Sequence, residues 1–333
     1  EINPMQYGTI VHYILERFFS EYTKEEYLSL EEDKFQKIVC AYLAEYAVKY
    51  FGEEQLESNS FTYRLKTILD NVMYLMKHIM EELSQSEFFV ADCELKIGED
   101  IPSYTIVLPD GHKIAVCGSV DRVDIMQRAD ITYLRIIDYK TGTKQFKLSD
   151  ILYGINLQML LYLHSIEASG GDKYGEIVPA GILYMPATVP YISSDSLKSI
   201  DKLPDELNKK LKMNGLLLKD TEIIHGMDKT DVATYIPVKI KAGEPVSSTS
   251  LATLAEFGKI FKKVDMLIAE MGKNIYNGNI EAKPLKGGHD SCEYCPYDSV
   301  CAYRQSNPIT CFSVDNKTVI EKITNEINGK EEE

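Results

Sequence analysis

An aspartate and a lysine two residues apart in an otherwise apolar, β-branched run are the first residues of this chain whose spacing could do chemistry. The run is Ile136-Ile137-Asp138-Tyr139-Lys140-Thr141-Gly142. Side chains of an extended strand repeat every two residues, so Asp138 and Lys140 share one face. A second run, Gly118-Ser119-Val120-Asp121-Arg122-Val123-Asp124, lies upstream, and the polar Gln127-Arg128-Ala129-Asp130 between the two suits a hairpin. A turn centred between Ala129 and Asp130 sets Asp121 opposite Asp138. Residues so opposed have Cβ atoms about 4.5–5.5 Å apart, where two carboxylates repel. A divalent cation relieves that repulsion, because Mg²⁺ takes one or two carboxylates together with waters and phosphate oxygens. Lys140 then stands beside the metal, able to orient an attacking water or to stabilise charge growing on a phosphate. Ion-pair networks produce the same pattern, and as strand-end acids paired with Arg122 or Lys140 these residues need no metal.

Three further segments offer polar groups to such a site. Asn3-Pro4-Met5-Gln6 reads as a helix start, with an N-cap, a proline at the first helical position and a Gln placed for a capping box, although Gly8 could delay it. Ile10, Ile14 and Phe18 then recur at helical spacing, and His12 lies on another face, one turn after Gly8. A lone helical histidine is by default structural; only Asp121 and Asp138 beside it make it a ligand. Gln158 and Tyr162 are four residues apart on an expected helix and so are neighbours on its surface, which is equally the pattern of a polar rim on a core helix. Glu94 sits in Val90-Ala91-Asp92-Cys93-Glu94-Leu95-Lys96-Ile97, a strand ahead of the hairpin, and is either an exposed strand carboxylate or a further metal ligand.

As a set, Asp121 and Asp138-Tyr139-Lys140 resemble the metal-binding core of the PD-(D/E)xK nucleases. Tyr7-Gly8-Thr9-Ile10-Val11-His12 resembles the Gly-x-x-x-His helix of the RecB-like branch, and Gln158-Met159-Leu160-Leu161-Tyr162 its Gln-x-x-x-Tyr helix. The resemblance implies an α/β, restriction-endonuclease-like core: a mixed central sheet flanked by helices, with a helical insertion. It implies a Mg²⁺- or Mn²⁺-dependent deoxyribonuclease in which His12, Asp121, Asp138 and the Tyr139 carbonyl hold the metal, with Glu94 as an additional candidate. Lys140 would position water or stabilise the transition state, Gln158 would orient Lys140 or the nucleophile, and Tyr162 would contact the DNA backbone.

Cys40, Cys93 and Cys117 are scattered in apolar or strand-like segments, where free thiols pack as small hydrophobes. Cys292, Cys295 and Cys301, spaced by two and then five residues, suit a metal or cluster knot better than a disulfide framework. Zinc and iron–sulfur clusters want four ligands. The cysteine pattern resembles the iron-staple nucleases, whose [4Fe-4S] cluster takes its fourth cysteine from upstream of the Gly-x-x-x-His helix. This chain starts at Glu1 without that cysteine. The expectation is therefore a piece of a longer protein, with the cluster absent or damaged and the cysteine loop mobile; Cys311 is the only nearby substitute.

Residues 214–228 and the helix expected near 251–275 resemble the carboxy-terminal nuclease domain of the AddAB-type helicase-nuclease family. That implies single-stranded DNA delivered by a complex, an AddA-type helicase-nuclease partner in a heterodimer, and repair of double-strand ends. An iron–sulfur nuclease of the CRISPR type and a non-catalytic scaffold are the other classes.

Acids outnumber bases 51 to 36 for a net charge of −15, the wrong sign for a free-standing DNA binder. Much of the excess lies in Glu25-Glu26, Glu31-Glu32-Asp33, Glu53-Glu54 and Glu331-Glu332-Glu333, as expected of solvated faces and a frayed end. No apolar run approaches the roughly 20 residues of a membrane span and no signal peptide is visible, so no membrane partner and a cytoplasmic location are expected. The pattern predicts helices near 8–20, 31–51, 61–85 and 149–167, and strands near 89–97, 103–108, 112–125, 131–140 and 180–185. One nuclease domain spans 1–310, with a helical insertion at about 21–87, an irregular insertion at about 187–248 carrying a strand near 235–240, the cysteine cluster at 292–301, and a tail at 311–333.

Overall fold

The first helix opens on a cap that can be followed atom by atom. In the computed structural model, which describes residues 2–142, 144–190, 203–301 and 308–331, α1 (Pro4–Glu21) starts from Asn3, whose side chain accepts from the Gln6 amide while the Gln6 side chain accepts from the Asn3 amide. With both orphan donors satisfied and proline at the first position, the helix begins at Pro4 and Gly8 does not delay it. Its buried face is Ile10, Val11, Ile14, Leu15, Phe18 and Phe19. The short α2 (Lys24–Leu28) and α4 (Glu53–Leu56) join the longer α3 (Glu32–Phe51) and α5 (Asn59–Gln85), which pack on each other and on α1.

β1 (Phe89–Ile97) follows, then the small hairpin β2 (Tyr104–Val107) and β3 (Lys113–Val116), then β4 (Gly118–Arg128) and β5 (Ile131–Lys140). The expected strand over 112–125 is thus two strands, parted at Cys117. β4 and β5 pair antiparallel in the register the turn predicted, from Arg128 with Ile131 to Arg122 with Ile137, with Ala129 at φ +51° taking the left-handed turn position. A 3-10 turn (Leu148–Tyr153) leads to α6 (Gln158–Ser169) and α7 (Gly171–Tyr174). The single helix expected over 149–167 is therefore broken: Gly154 (φ +68°) and Asn156 (φ +54°) adopt left-handed backbone that no α-helix continues. β6 (Glu176–Pro186) returns parallel to β5, completing a β-α-β unit.

The described part of the stretch at 187–248 is not irregular. Beyond 191–202, which lie outside the described residues, it folds into α8 (Leu203–Leu211), β7 (Asn214–Leu218), α9 (Thr221–Met227), β8 (Lys239–Lys241) and β9 (Glu244–Val246). The strand expected near 235–240 is reduced to β8, and the sheet-forming segment is β7. Gly215 lets β7 approach β6 closely, since a Cβ there would lie 2.0 Å from the Ile182 carbonyl oxygen. β10 (Leu251–Ala252) pairs parallel with β7, closing the central sheet in the order β1-β4-β5-β6-β7-β10. α10 (Leu254–Tyr276) is opened by a Thr253–Glu256 capping box. The chain continues through β11 (Leu285–Gly287), α11 (Asp298–Cys301) and β12 (Ile309–Cys311) to α12 (Asn316–Glu331). Residues 311–331 are thus no loose tail, because α12 packs on α10 and buries Val319 and Ile323 completely; Glu332 and Glu333 lie outside the described residues. Among the described residues no helix is long and apolar enough to cross a membrane.

Candidate active site

The site gathers where α1, β1 and β4 meet the end of β5. On β4 the pleat sends Arg122 and Asp124 into the protein, both fully buried, and leaves Asp121 less deeply covered. Beyond the Arg122–Ile137 pair the ladder ends, and the Asp121 side chain takes over: its Oδ2 accepts the Tyr139 N–H at 2.9 Å. Burial raises the Asp121 carboxyl to about 6; the charges of Asp138 and Glu94 add to the rise, while His12 and the Tyr139 amide oppose it.

Glu94 reaches the same place by a backbone irregularity. It sits at φ +50° inside β1, while the ladder is regular on either side, Cys93 with Arg122 and Leu95 with Val120. Left-handed backbone at a non-glycine strand residue is strained, and such strain persists where the surroundings hold it. Here the Ser119 hydroxyl donates to Glu94 Oε2 at 2.8 Å, and Glu94 Oε1 lies 3.5 Å from His12 Nδ1. His12 Nδ1 is also 3.6 Å from Asp121 Oδ2, and its Nε2 is 3.4 Å from the Tyr139 carbonyl oxygen. Burial works against the charged imidazole, but Glu94 and Asp121 outweigh it and raise the His12 pKa.

One donor atom each from His12, Glu94 and Asp121 lies within 4.8 Å of the others. An imidazole nitrogen and two carboxylates, with a backbone carbonyl alongside, form a donor set that fits a divalent cation. Asp138, expected among the ligands, stands outside that group. Its carboxylate is almost buried, and Oδ2 lies 2.6 Å from Lys140 Nζ in an ion-pair contact without hydrogen-bond alignment. Glu94, aimed by its left-handed backbone and the Ser119 hydroxyl, stands in the donor group where Asp138 was expected.

The helix residues depart further from expectation. Gln158 is the exposed first residue of α6, and its side-chain amide donates to the Tyr162 hydroxyl at a long 3.5 Å. Tyr162 in turn lies over Gly118 at the start of β4, where a Cβ would come within 2.2 Å of the tyrosine oxygen. Cys292 and Cys295 are half-buried, Cys301 is exposed and Cys311 is buried on β12. Among the described residues no three cysteine sulfurs lie within 4.8 Å of one another. The described cysteines therefore do not form a four-thiolate cage.

Sequence reasoning missed what lies beneath the site. Arg122, Asp124, Arg135 and Glu82 form a quartet, each at most 1% exposed. Arg122 grips Asp124 with two bonds of 2.6 Å and reaches Glu82 at 3.2 Å; Arg135 donates to Asp124 at 3.0 Å and to Glu82 at 2.6 Å. Burial alone would raise the Asp124 pKa, but the two guanidiniums outweigh it and lower it. The only signal in the sequence was the presence of three charged residues, Arg122, Asp124 and Arg135, on inward positions of strands that are otherwise apolar.

The family model described as PD-(D/E)XK nuclease superfamily matches residues 1–302. Curated relatives named as a subunit of an ATP-dependent helicase/deoxyribonuclease match as well. That of Thermoanaerobacter sp. (strain X514) is 34% identical over 313 residues, 90% of this chain and 27% of the relative. Those of Alkaliphilus oremlandii (strain OhILAs) and Ruminiclostridium cellulolyticum are each 33% identical, over 96% and 99% of this chain and 29% and 30% of the relative. The chain spans under a third of the length of these relatives. Motif residues, mixed sheet and family match converge: the chain belongs to the PD-(D/E)XK nuclease superfamily.

Proposed function

We propose that this chain hydrolyses DNA phosphodiesters with Mg²⁺ or Mn²⁺, as the nuclease domain of an AddAB-type helicase-nuclease that processes double-strand ends. The observation that carries the reading is the His12–Glu94–Asp121 donor group beside the Asp138–Lys140 pair. His12, Glu94, Asp121 and the Tyr139 carbonyl would hold the metal, which when bound lowers the pKa of a coordinated water and polarises a phosphate oxygen. Asp138 holds the Lys140 ammonium 2.6 Å from its carboxylate, at the end of β5. From there the ammonium orients the attacking water or offsets the charge that grows on the phosphate. Asp121 is fixed by the Tyr139 amide, so this ligand needs no large movement. Tyr162, anchored over Gly118 and paired with Gln158, would touch the strand's backbone rather than the metal. The relatives' name, a subunit of an ATP-dependent helicase/deoxyribonuclease, supports a helicase-linked role; an AddA-type partner, a single strand fed from that helicase and a cytoplasmic setting belong to the same proposal. Those names favour this reading over a CRISPR-type nuclease or a scaffold.

The test is cleavage of end-labelled single-stranded DNA in Mg²⁺. Lys140→Ala is expected to lower the rate about 10²–10⁴-fold with an unchanged circular-dichroism spectrum, and Asp121→Asn to abolish both cleavage and Mn²⁺ binding. Wild-type rates from Lys140→Ala would refute the assignment.

A further inference from the structure

A cavity of about 650 Å³ opens beside Lys140. It lies at the carboxyl ends of the parallel strands β5 and β6, where open α/β sheets receive their ligands. Five lysines line it, Lys140, Lys144, Lys209, Lys210 and Lys212, and among the described residues no carboxylate does. In a chain where acids outnumber bases 51 to 36, this wall reverses the local sign, and a concave wall of one sign concentrates counter-charged ligands. The wall is also a built one. Asn214 Oδ1 accepts the Phe146 N–H at 2.7 Å and its Nδ2 donates to the Lys144 carbonyl at 3.0 Å, which fastens the 144–146 segment to the start of β7. Lys212 is tied to the carbonyls of Ala233 and Val238, so it serves the wall, while Lys209 and Lys210 are exposed on the last turn of α8. Half-buried Phe146 adds an aromatic surface among the cations. Cationic walls that follow a phosphate chain, interrupted by aromatic surfaces for unpaired bases, are how single strands are held without sequence preference.

We infer that this groove is the track for single-stranded DNA on one side of the cleavage site. Phosphates lie against Lys144, Lys209 and Lys210, one base lies against Phe146, and Lys140 stands where the track meets the metal-binding acids. The inference rests on the nuclease reading, single-stranded substrate included, and adds to it the path that the strand takes across the protein.

The experiment is fluorescence anisotropy of labelled oligothymidine against the 333-residue chain in EDTA, as a function of salt, with cleavage in Mg²⁺ run in parallel. Lys144→Gln/Lys209→Gln/Lys210→Gln is expected to weaken binding at least about tenfold near 0.1 M salt and to flatten the slope of log K against log salt by about 2, at about 0.7 per lost phosphate contact. Lys34→Gln/Lys37→Gln, on the exposed face of α3, should bind as wild type. Unchanged binding by the triple variant, equal loss in the α3 control, no binding by wild type, or binding of duplex alone would each overturn the track. A chain that cuts single strands while the triple variant binds and cuts normally refutes the track and leaves the nuclease standing. A chain that binds through these lysines but cuts nothing refutes the nuclease reading and leaves the track.

Discussion

Glu82→Gln changes one oxygen to an amide group in the buried quartet and leaves its shape intact. Two guanidiniums then face one carboxylate with no water to screen the excess charge, since every member is at most 1% exposed. Breaking a buried, hydrogen-bonded ion network by removing one partner costs about 3–5 kcal/mol. At about 2.1 cal/mol/K per residue, a 333-residue chain melts with an entropy of about 0.7 kcal/mol/K, so the loss corresponds to a fall in Tm of about 4–7 °C. Differential scanning fluorimetry measures it directly. The second arm is Glu82→Gln/Arg135→Met, which restores neutrality around Arg122 and Asp124; it should lose clearly less than the two single substitutions added together. A single-variant shift below about 1 °C, or strict additivity in the double, would refute the view that charge balance holds this layer. The quartet matters for the site because Arg122 is the next residue after Asp121, so a strand that shifts to rehydrate the guanidinium moves the carboxylate as well.

Two other perturbations probe groups away from the His12–Glu94–Asp121 group. His164 is half-buried beside Asp265 and Glu167 and stacked on Phe261; its partial burial opposes its charge, but hydrogen bonds to the two acids prevail and raise its pKa to about 9. A folded-state pKa above the unfolded 6.5 means stability that is fully present below about pH 6.5 and lost as pH rises towards 9. His164→Gln should therefore cost more Tm at pH 6 than at pH 9.5, and an equal cost at both would contradict the pairing. Gly118→Ala drives a Cβ into the Tyr162 hydroxyl; it should reproduce the cleavage defect of Tyr162→Phe or exceed it, with Mn²⁺ affinity kept, and normal cleavage beside a defective Tyr162→Phe would count against Tyr162's placement.

The hairpin was legible because its information is local: a polar turn between two apolar runs fixes the register, and the register fixes which carboxylates meet. The α1 cap was legible for the same reason, since Asn3, Pro4 and Gln6 act within one turn, but the helix expected from residue 8 begins at Pro4. The α6 break was not, because Asn156 enters left-handed backbone only under its surroundings and Gly154 is tolerated in many helices. β7 is five residues of which one is glycine, too short for its alternation to be read. Glu94 shows the deeper limit. Its residue type suggested a ligand, but the strained φ that aims it depends on Ser119 and His12, residues distant in sequence. The quartet was hidden because charged residues on strands ordinarily signal solvent, and their partner Glu82 comes from a helix about 40 residues away.

His12, Glu94 and Asp121 come from three different elements, α1, β1 and β4. A cation bound by all three therefore belongs to no one of them, and it can be held fully only while α1 is seated against the sheet. Binding and seating are then linked equilibria. At a hundred times its Kd the ion would favour the seated helix by about 2.7 kcal/mol, and whatever loosens α1 would release metal before any ligand is altered. The nuclease would thus be switched off by helix undocking alone, with every ligating side chain still present.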